Sequence, residues 1–211
     1  MLSILIAAGW PVVPLLLCSV IAVALVIERF LSLREARVAP ARLVDEVLTV
    51  ARSAVPPADT INKLADNSVL GLVLAQGLRA AAAEPRINEG NLRAAFESAG
   101  RDAVHRLERN LSALGTIASA APLLGLLGTV VGMIEIFGAS GSMNGAGGNP
   151  AELAHGISVA LYNTAFGLIV AIPSLIAYRH FRTRIEDYTL TLEQAAERMV
   201  PHLLRLGSGR R

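Results

Sequence analysis

Residues 156–173 have the sequence GISVALYNTAFGLIVAIP, which contains no Asp, Glu, Lys or Arg. The uncharged stretch extends outward to Leu153 and Tyr178. Two further stretches without charge cover Met1 to Ile27 and Leu111 to Ile134. A helix needs roughly 20 apolar residues to cross the hydrocarbon core of a bilayer, which is about 30 Å thick. Each of the three stretches is therefore long enough to span a membrane.

The composition of the whole chain agrees with this prediction. Charged residues make up 17% of the 211 residues, whereas soluble domains contain about 25%, and the mean hydropathy is +0.52. A soluble globular protein is therefore excluded, and the fold class predicted is an all-α integral membrane protein. Aromatic residues are only 4%, too few for the stacking surfaces of a nucleic-acid-binding protein. The single cysteine, Cys18, excludes an intrachain disulfide, and we expect it to pack as a small apolar residue.

The basic residues predict the orientation. All 19 Lys and Arg fall in two segments, with 12 between residues 28 and 110 and 7 after residue 178. Since cytoplasmic flanks carry the Lys/Arg excess, the N-terminus is predicted to be periplasmic and the C-terminus cytoplasmic. The predicted segments are a periplasmic stub at 1–11, a first span at 12–30, a cytoplasmic helical loop at 31–110, a second span at 111–138, a periplasmic loop at 139–152, a third span at 153–178 and a cytoplasmic helical tail at 179–211.

The cytoplasmic segments are predicted to be helical extensions of the spans. Apolar spacing favours a helix over 42–52 and another over 69–83, separated by a linker that contains Pro56 and Pro57. Asn88 or Asn91 can cap a third helix, which meets no breaker before the second span. The third span is expected to continue as one helix from 153 to 205, because neighbouring helices tolerate a proline such as Pro173.

Small residues predict close helix packing. The chain has no nucleotide-binding loop, metal-binding motif or nucleophile motif, so we expect neither an enzyme nor a cofactor. Gly125, Gly128 and Gly132 recur at three- and four-residue spacing, which allows another helix to approach closely. A second small-residue stripe is predicted along the third span, at Gly156, Ala160, Thr164, Gly167, Ala171 and Ser174.

Polar side chains within the spans are candidates for an ion path. Thr129 lies about 12 Å along its helix from Phe137 at the outer end, and Thr164 lies about 16 Å from Leu153. Both hydroxyls are therefore expected at similar depth, with the Asn163 amide beside them. One hypothesis is a polar ring that lines a central path. The alternative is that each threonine bonds back to a carbonyl of its own helix.

Glu135 and His155 are predicted near the outer ends of their spans. One hypothesis makes them a titratable pair at the outer mouth of a proton path, and the alternative is a carboxylate that reaches toward headgroups or solvent. At the inner end of the first span, Glu28 and Arg29 are expected to form a solvated helix end.

Three motifs resemble the MotA/TolQ/ExbB proton-channel family. Residues 124–135, LGLLGTVVGMIE, look like its second-span motif, and residues 156–173 look like its third-span motif. Residues 26–30, VIERF, resemble the end of its first span. Three spans with one large inner loop are similar to the ExbB and TolQ members, and to ExbB slightly more, rather than to four-span MotA.

This resemblance implies a homopentamer in the bacterial inner membrane, with a pore formed by second and third spans. It also implies a single-span partner, similar to ExbD or TolR, whose membrane aspartate titrates in the pore. Proton flow would then energise a TonB- or TolA-like protein. By motif position, Thr129 and Thr164 would be the pore threonines. The chain departs from the family at Val159, where many relatives have glutamate, so no carboxylate role carries over there.

Two alternatives come from other classes of function. A non-conducting scaffold subunit of an envelope complex is favoured by Val159 and opposed by the aligned threonines and Asn163. A small-solute permease would be supported by an internal inverted repeat, which the sequence lacks.

Overall fold

The structure is a computed structural model that describes residues 10–84, 86–141 and 150–208. The predicted periplasmic stub, apart from its last two residues, and most of the predicted periplasmic loop lie outside these ranges. Within them the chain forms the helices α1 Val12–Ser32, α2 Glu35–Val38, α3 Leu43–Val50, α4 Ala58–Asn67, α5 Val69–Ala83, α6 Glu89–Glu108, α7 Leu111–Gly141 and α8 Pro150–Ser208.

Helices α1, α7 and α8 each contain a window long and apolar enough to cross a membrane. Only 22% to 28% of the residues in these windows are buried within the chain, and large side chains such as Val20, Ile134 and Ile176 are exposed. Helices in water bury their apolar face, so these surfaces require lipid or another subunit. The all-α membrane fold predicted from the sequence is confirmed, and the three predicted spans lie inside α1, α7 and α8.

One compact unit comprises residues 1–28 and 110–180. Its core is formed by Leu15 of α1, Ala121 of α7 and Ala171 of α8, and partly buried Phe166 packs against this cluster. Leu15 is 1% exposed. The opposite face of α1 is open, and Cys18 is half-buried. One side of α1 therefore secures it to the other two helices.

The second compact unit comprises residues 29–109 and 181–211. Its core consists of apolar side chains from several helices, among them Leu74, Leu92, Phe96 and Met199. Tyr188 of α8 donates a hydrogen bond to the carbonyl oxygen of Leu33 over 2.8 Å, and burial raises the pKa of this phenol.

Surface ion pairs in the second unit connect α8 to its neighbours. Arg93 of α6 pairs with Glu197, and Arg198 pairs with Asp45 of α3. Exposed pairs of this kind contribute little to stability. The apolar core therefore accounts for most of the stability of this unit.

Most helices of the long loop between the first and second spans follow the sequence pattern. α5 has the predicted bounds, and α3 falls within its predicted range. Ser68 caps α5 by accepting a hydrogen bond from the Gly71 amide, and Asn88 rather than Asn91 caps α6. Helix α4 was not predicted, because its polar sequence buries only Ile61.

The prediction of a helix from Asn88 into the second span is confirmed, since a helical segment runs from Glu89 to Gly138, and it departs from regular helix only at one turn. α6 ends at Glu108 and α7 begins at Leu111, with a turn at Arg109 and Asn110. Asn110 is a weak helix former, and its side-chain amide donates to the Glu28 carboxylate over 3.2 Å. By contrast, α8 continues without a break from Pro150 to Ser208, even past Pro173.

Arg29 also differs from its predicted role in a solvated helix end. Its side chain is buried, with 4% of the residue exposed, and Nη1 donates to the carbonyl oxygen of Leu107 over 2.7 Å. In an unbroken helix this carbonyl would accept the amide of residue 111. The guanidinium therefore competes for the carbonyl at the place where the helix is interrupted.

We expect Arg29→Met to lower the free energy of unfolding by about 1.5–3 kcal/mol, because a buried hydrogen bond from a charged donor is lost. Thermal melting in detergent measures the change. Arg34→Met is the matched control, since Arg34 carries the same charge in an exposed position nearby. Equal losses for the two variants would show that the bond to Leu107 contributes nothing specific.

Candidate functional site

The candidate site lies along the contact between α7 and α8. The two helices run antiparallel, and their register follows from the glycines. A Cβ on Gly128 would lie 2.7 Å from Cβ of Asn163, and a Cβ on Gly132 would lie 3.1 Å from Cβ of Ala160. Farther out, a Cβ on Gly156 would lie 2.6 Å from Cδ1 of Ile136. Small residues of one helix therefore face the other helix along most of the second and third spans.

The helix backbones touch at one level of this contact. A Cβ on Gly125 would lie 2.7 Å from the carbonyl oxygen of Asn163 and 3.0 Å from Cα of Thr164. A Cβ on Gly167 would lie 2.6 Å from the carbonyl oxygen of Ala121. Real Cβ atoms essentially never approach other atoms within 3.0 Å. Any side chain at Gly125 or Gly167 would consequently force the helices apart.

Thr129 and Thr164 lie within about one helical turn of each other along the helix pair. Each directly follows a member of the Gly128–Asn163 contact, and each is half-buried. The Thr129 hydroxyl donates to the Leu126 carbonyl oxygen in its own helix over 2.7 Å, as the alternative hypothesis for this residue stated. The Thr164 hydroxyl forms no hydrogen bond with any residue in the described ranges, so it keeps both its donor and its acceptor capacity.

Asn163 occupies a different position from the one expected. Only 2% of this residue is exposed, and its side chain lies against Gly128 of α7. A side chain enclosed within one subunit cannot line an open path, so Asn163 is an interhelical residue here. Its spacing could have indicated this, because Asn163 lies three residues after Ala160 and four before Gly167, within the small-residue stripe.

Glu135 lies near the C-terminal end of α7, and His155 lies near the N-terminal end of α8. Their levels agree because neighbouring Ile136 and Gly156 face each other. Both side chains are exposed, and neither forms a hydrogen bond or ion pair within the part of the chain that the structure describes. This arrangement leaves a carboxylate and an imidazole open to the surroundings.

These two spans also match known proteins. The sequence model of the MotA/TolQ/ExbB proton channel family matches residues 65–194. The chain belongs to this family. The matched range includes all of α7 and the membrane part of α8, with Thr129 and Thr164. The MotA/TolQ/ExbB proteins are a proton-channel family and not an enzyme family.

Individual relatives support the same family. The chain is 35% identical over 194 residues to biopolymer transport protein ExbB-like 3 of Synechocystis, and the match covers 90% of each protein. It is 40% identical to biopolymer transport protein ExbB of Aquifex aeolicus over 41% of this chain and 57% of that protein. It is 39% identical to the Tol-Pal system protein TolQ of Pseudomonas aeruginosa over 47% of this chain and 42% of that protein.

The middle of the second and third spans contains no acidic side chain. No Asp or Glu occurs from Leu111 to Ile134 or from Gly156 to Tyr178, and Val159 is half-buried and apolar. In the described ranges, no cluster of three His, Cys, Asp or Glu could hold a metal ion. At mid-span this chain can offer hydroxyl groups that solvate a proton carrier, but it has no side chain that titrates near neutral pH.

Proposed function

We propose that this protein is the channel-forming subunit of an inner-membrane complex that uses the proton-motive force. The single observation that carries the proposal is the pair Thr129 and Thr164, held within about one helical turn of each other in a closely packed helix pair, with no Asp or Glu in either uncharged span around them. Two hydroxyls can orient water or solvate a carboxylate. They cannot hold the proton themselves, so the titrating group belongs to a second chain.

The second chain in this proposal is a single-span protein similar to ExbD or TolR, with an aspartate in its membrane helix. Five copies of the present chain surround it as a cyclic pentamer, with α7 and α8 innermost and the open face of α1 toward lipid. This arrangement is supported by the large apolar side chains that remain exposed on α7 and α8, such as Leu126, Ile134 and Ile169. One three-helix subunit cannot bury them.

The orientation proposed follows from the charges. The N-terminus and the loop between the second and third spans are periplasmic, and the C-terminus is cytoplasmic, because all Lys and Arg flank the other side. Proton flow toward the cytoplasm would energise a TonB- or TolA-like protein. In this scheme Glu135 and His155 affect only the entry of protons at the outer mouth.

A liposome experiment tests the proposal. The chain alone and the complex with its co-purifying single-span partner are reconstituted, and proton flux is followed with an internal pH-sensitive dye after a potential is applied. We expect the complex to conduct and the chain alone to leak no more than empty vesicles, since the titrating aspartate belongs to the partner. Native mass spectrometry of the same preparation counts the copies, and we expect five.

Two results would overturn the proposal in different ways. A correctly assembled complex without flux would favour the scaffold subunit, the alternative that Val159 supports. Strong, pH-dependent conduction by the chain alone, abolished by Glu135→Gln, would place the titrating group in this protein. A monomer as the only species would contradict the ring.

A further inference from the structure

The contact between Gly128 and Asn163 is unlike the other small-residue contacts of the helix pair. A Cβ on Gly128 would lie 2.7 Å from Cβ, 2.8 Å from Cγ and 2.9 Å from Nδ2 of Asn163. The whole amide side chain therefore lies across the exposed backbone of Gly128. At Gly125, Gly132, Gly156 and Gly167 the neighbouring atoms are backbone or aliphatic, and at Gly115 they belong to the aromatic ring of Tyr178.

Asn163 touches α7 at two points, one helical turn apart. Its side chain lies on Gly128. Its carbonyl oxygen faces Gly125, where an added Cβ would lie 2.7 Å from that oxygen. A contact at one point permits a helix to roll about its axis, whereas two contacts from the same residue restrict both rolling and sliding. Only 2% of Asn163 is exposed, so the side chain has no free space into which it could move.

The two residues that make this contact directly precede the two threonines. Thr129 follows Gly128 and Thr164 follows Asn163, so any rotation at the contact moves the hydroxyls with it. An atom on the helix surface lies about 5 Å from the axis, so a rotation of about 30° displaces it by about 3 Å. That displacement is as long as a hydrogen bond, and it would separate a hydroxyl from its partner.

We infer that the contact between Gly128 and Asn163, which we call the joint, prevents α7 and α8 from rotating against each other. It thereby fixes the direction of the Thr129 and Thr164 hydroxyls, which makes Asn163 a positioning residue. The inference rests on the proposed function, because the hydroxyls matter only if protons pass them. It also explains why an amide, which is costly at membrane depth, occupies a position where Ala or Gly would allow the same helix approach.

A double-mutant cycle tests the joint. Gly128→Ala, Asn163→Gly and the double variant are each reconstituted with the single-span partner, and proton flux is normalised to the amount of assembled complex. We expect each single variant to lose flux about ten- to a hundredfold, the effect of misplacing a reacting group by about 1 Å. The double variant should recover most of the flux, because Asn163→Gly removes the Cβ that would otherwise lie 2.7 Å from the new methyl group on residue 128.

A labelling experiment measures the direction of the hydroxyl without any flux. Cys18 is the only cysteine, so a Cys18→Ala background allows Thr164→Cys to be labelled alone with a water-soluble thiol reagent. We expect Gly128→Ala and Asn163→Gly to change the labelling rate severalfold, and the double variant to restore it. Gly138→Ala is the matched control on the same helix, because nothing lies within 4 Å of its Cβ.

Each outcome separates the joint from the proposed function. If the wild-type complex does not conduct, the proposed function fails, and the labelling rates still decide whether the joint exists. If Gly128→Ala lowers the melting temperature but leaves both flux per complex and labelling unchanged, the contact is structural only and the inference is wrong. Asn163→Gly, which introduces no overlap, gives the same decision if Gly128→Ala does not assemble.

Discussion

Gly125→Ala is expected to destabilise the membrane unit by about 2–3 kcal/mol, the upper part of the range for overpacked sites. The new methyl group would lie 2.7 Å from the carbonyl oxygen of Asn163 and 3.0 Å from Cα of Thr164. Both neighbours are backbone atoms, which cannot rotate away as a side chain can. The helices α7 and α8 must therefore separate. The loss is measured as a lower melting temperature of the purified complex in detergent.

Two further variants sharpen this prediction. Gly138→Ala should be neutral or slightly stabilising, because its Cβ meets nothing within 4 Å and alanine is the better helix former. Gly167→Ala should lower the stability about as much as Gly125→Ala. The double variant should lose less stability than the sum of the two, since both substitutions force the same helices, α7 and α8, apart. An unchanged melting temperature for Gly125→Ala would show that the helix backbones are not in contact.

Thr164→Val is expected to reduce proton flux through the assembled complex about ten- to a hundredfold while leaving assembly intact. Valine has nearly the same shape as threonine but lacks the hydroxyl. A hydrogen bond to a charged group contributes about 1.5–3 kcal/mol, and each 1.36 kcal/mol corresponds to about a tenfold change in rate. The measurement is dye-reported flux in liposomes, together with native mass spectrometry to verify the copy number.

Several controls follow from the hydrogen bonds. Thr129→Val should reduce flux less, because this hydroxyl already donates to the Leu126 carbonyl. Thr116→Val removes an exposed hydroxyl that donates to the Ser112 carbonyl and should have no effect. Glu135→Gln should also reduce the proton flux less than Thr164→Val does. Wild-type flux in Thr164→Val would exclude this hydroxyl from the proton path.

The spans could be predicted because bilayer thickness imposes a simple rule on sequence. An uncharged run of sufficient length marks each one, and α1, α7 and α8 contain the predicted ranges. Helix α5 could be predicted equally well, because Ser68 and Glu84 flank a run that is apolar except for Gln76 and Arg79.

Other features depend on contacts between residues distant in sequence. The bond from Arg29 to Leu107 joins residues 78 positions apart, and nothing in the sequence distinguishes Arg29 from the exposed arginines. The turn at Asn110 has a similar origin, since the partner of its side chain is Glu28. For the third span, the periodicity predicted the packed face that includes Thr164, whose Cα lies against Gly125, but it did not indicate that the neighbouring Asn163 side chain packs on Gly128.

Backbone contact at Gly125 leaves no room for water within the α7–α8 pair at that level, because atoms in van der Waals contact exclude it. In the proposed ring, a hydrated route must then run between copies of the chain, so residues of more than one copy line it. A variant in one copy therefore affects a route that the neighbouring wild-type copies also line. An allele that assembles normally but lacks the Thr164 hydroxyl would be dominant when expressed with the wild-type allele, because most mixed pentamers contain at least one defective copy.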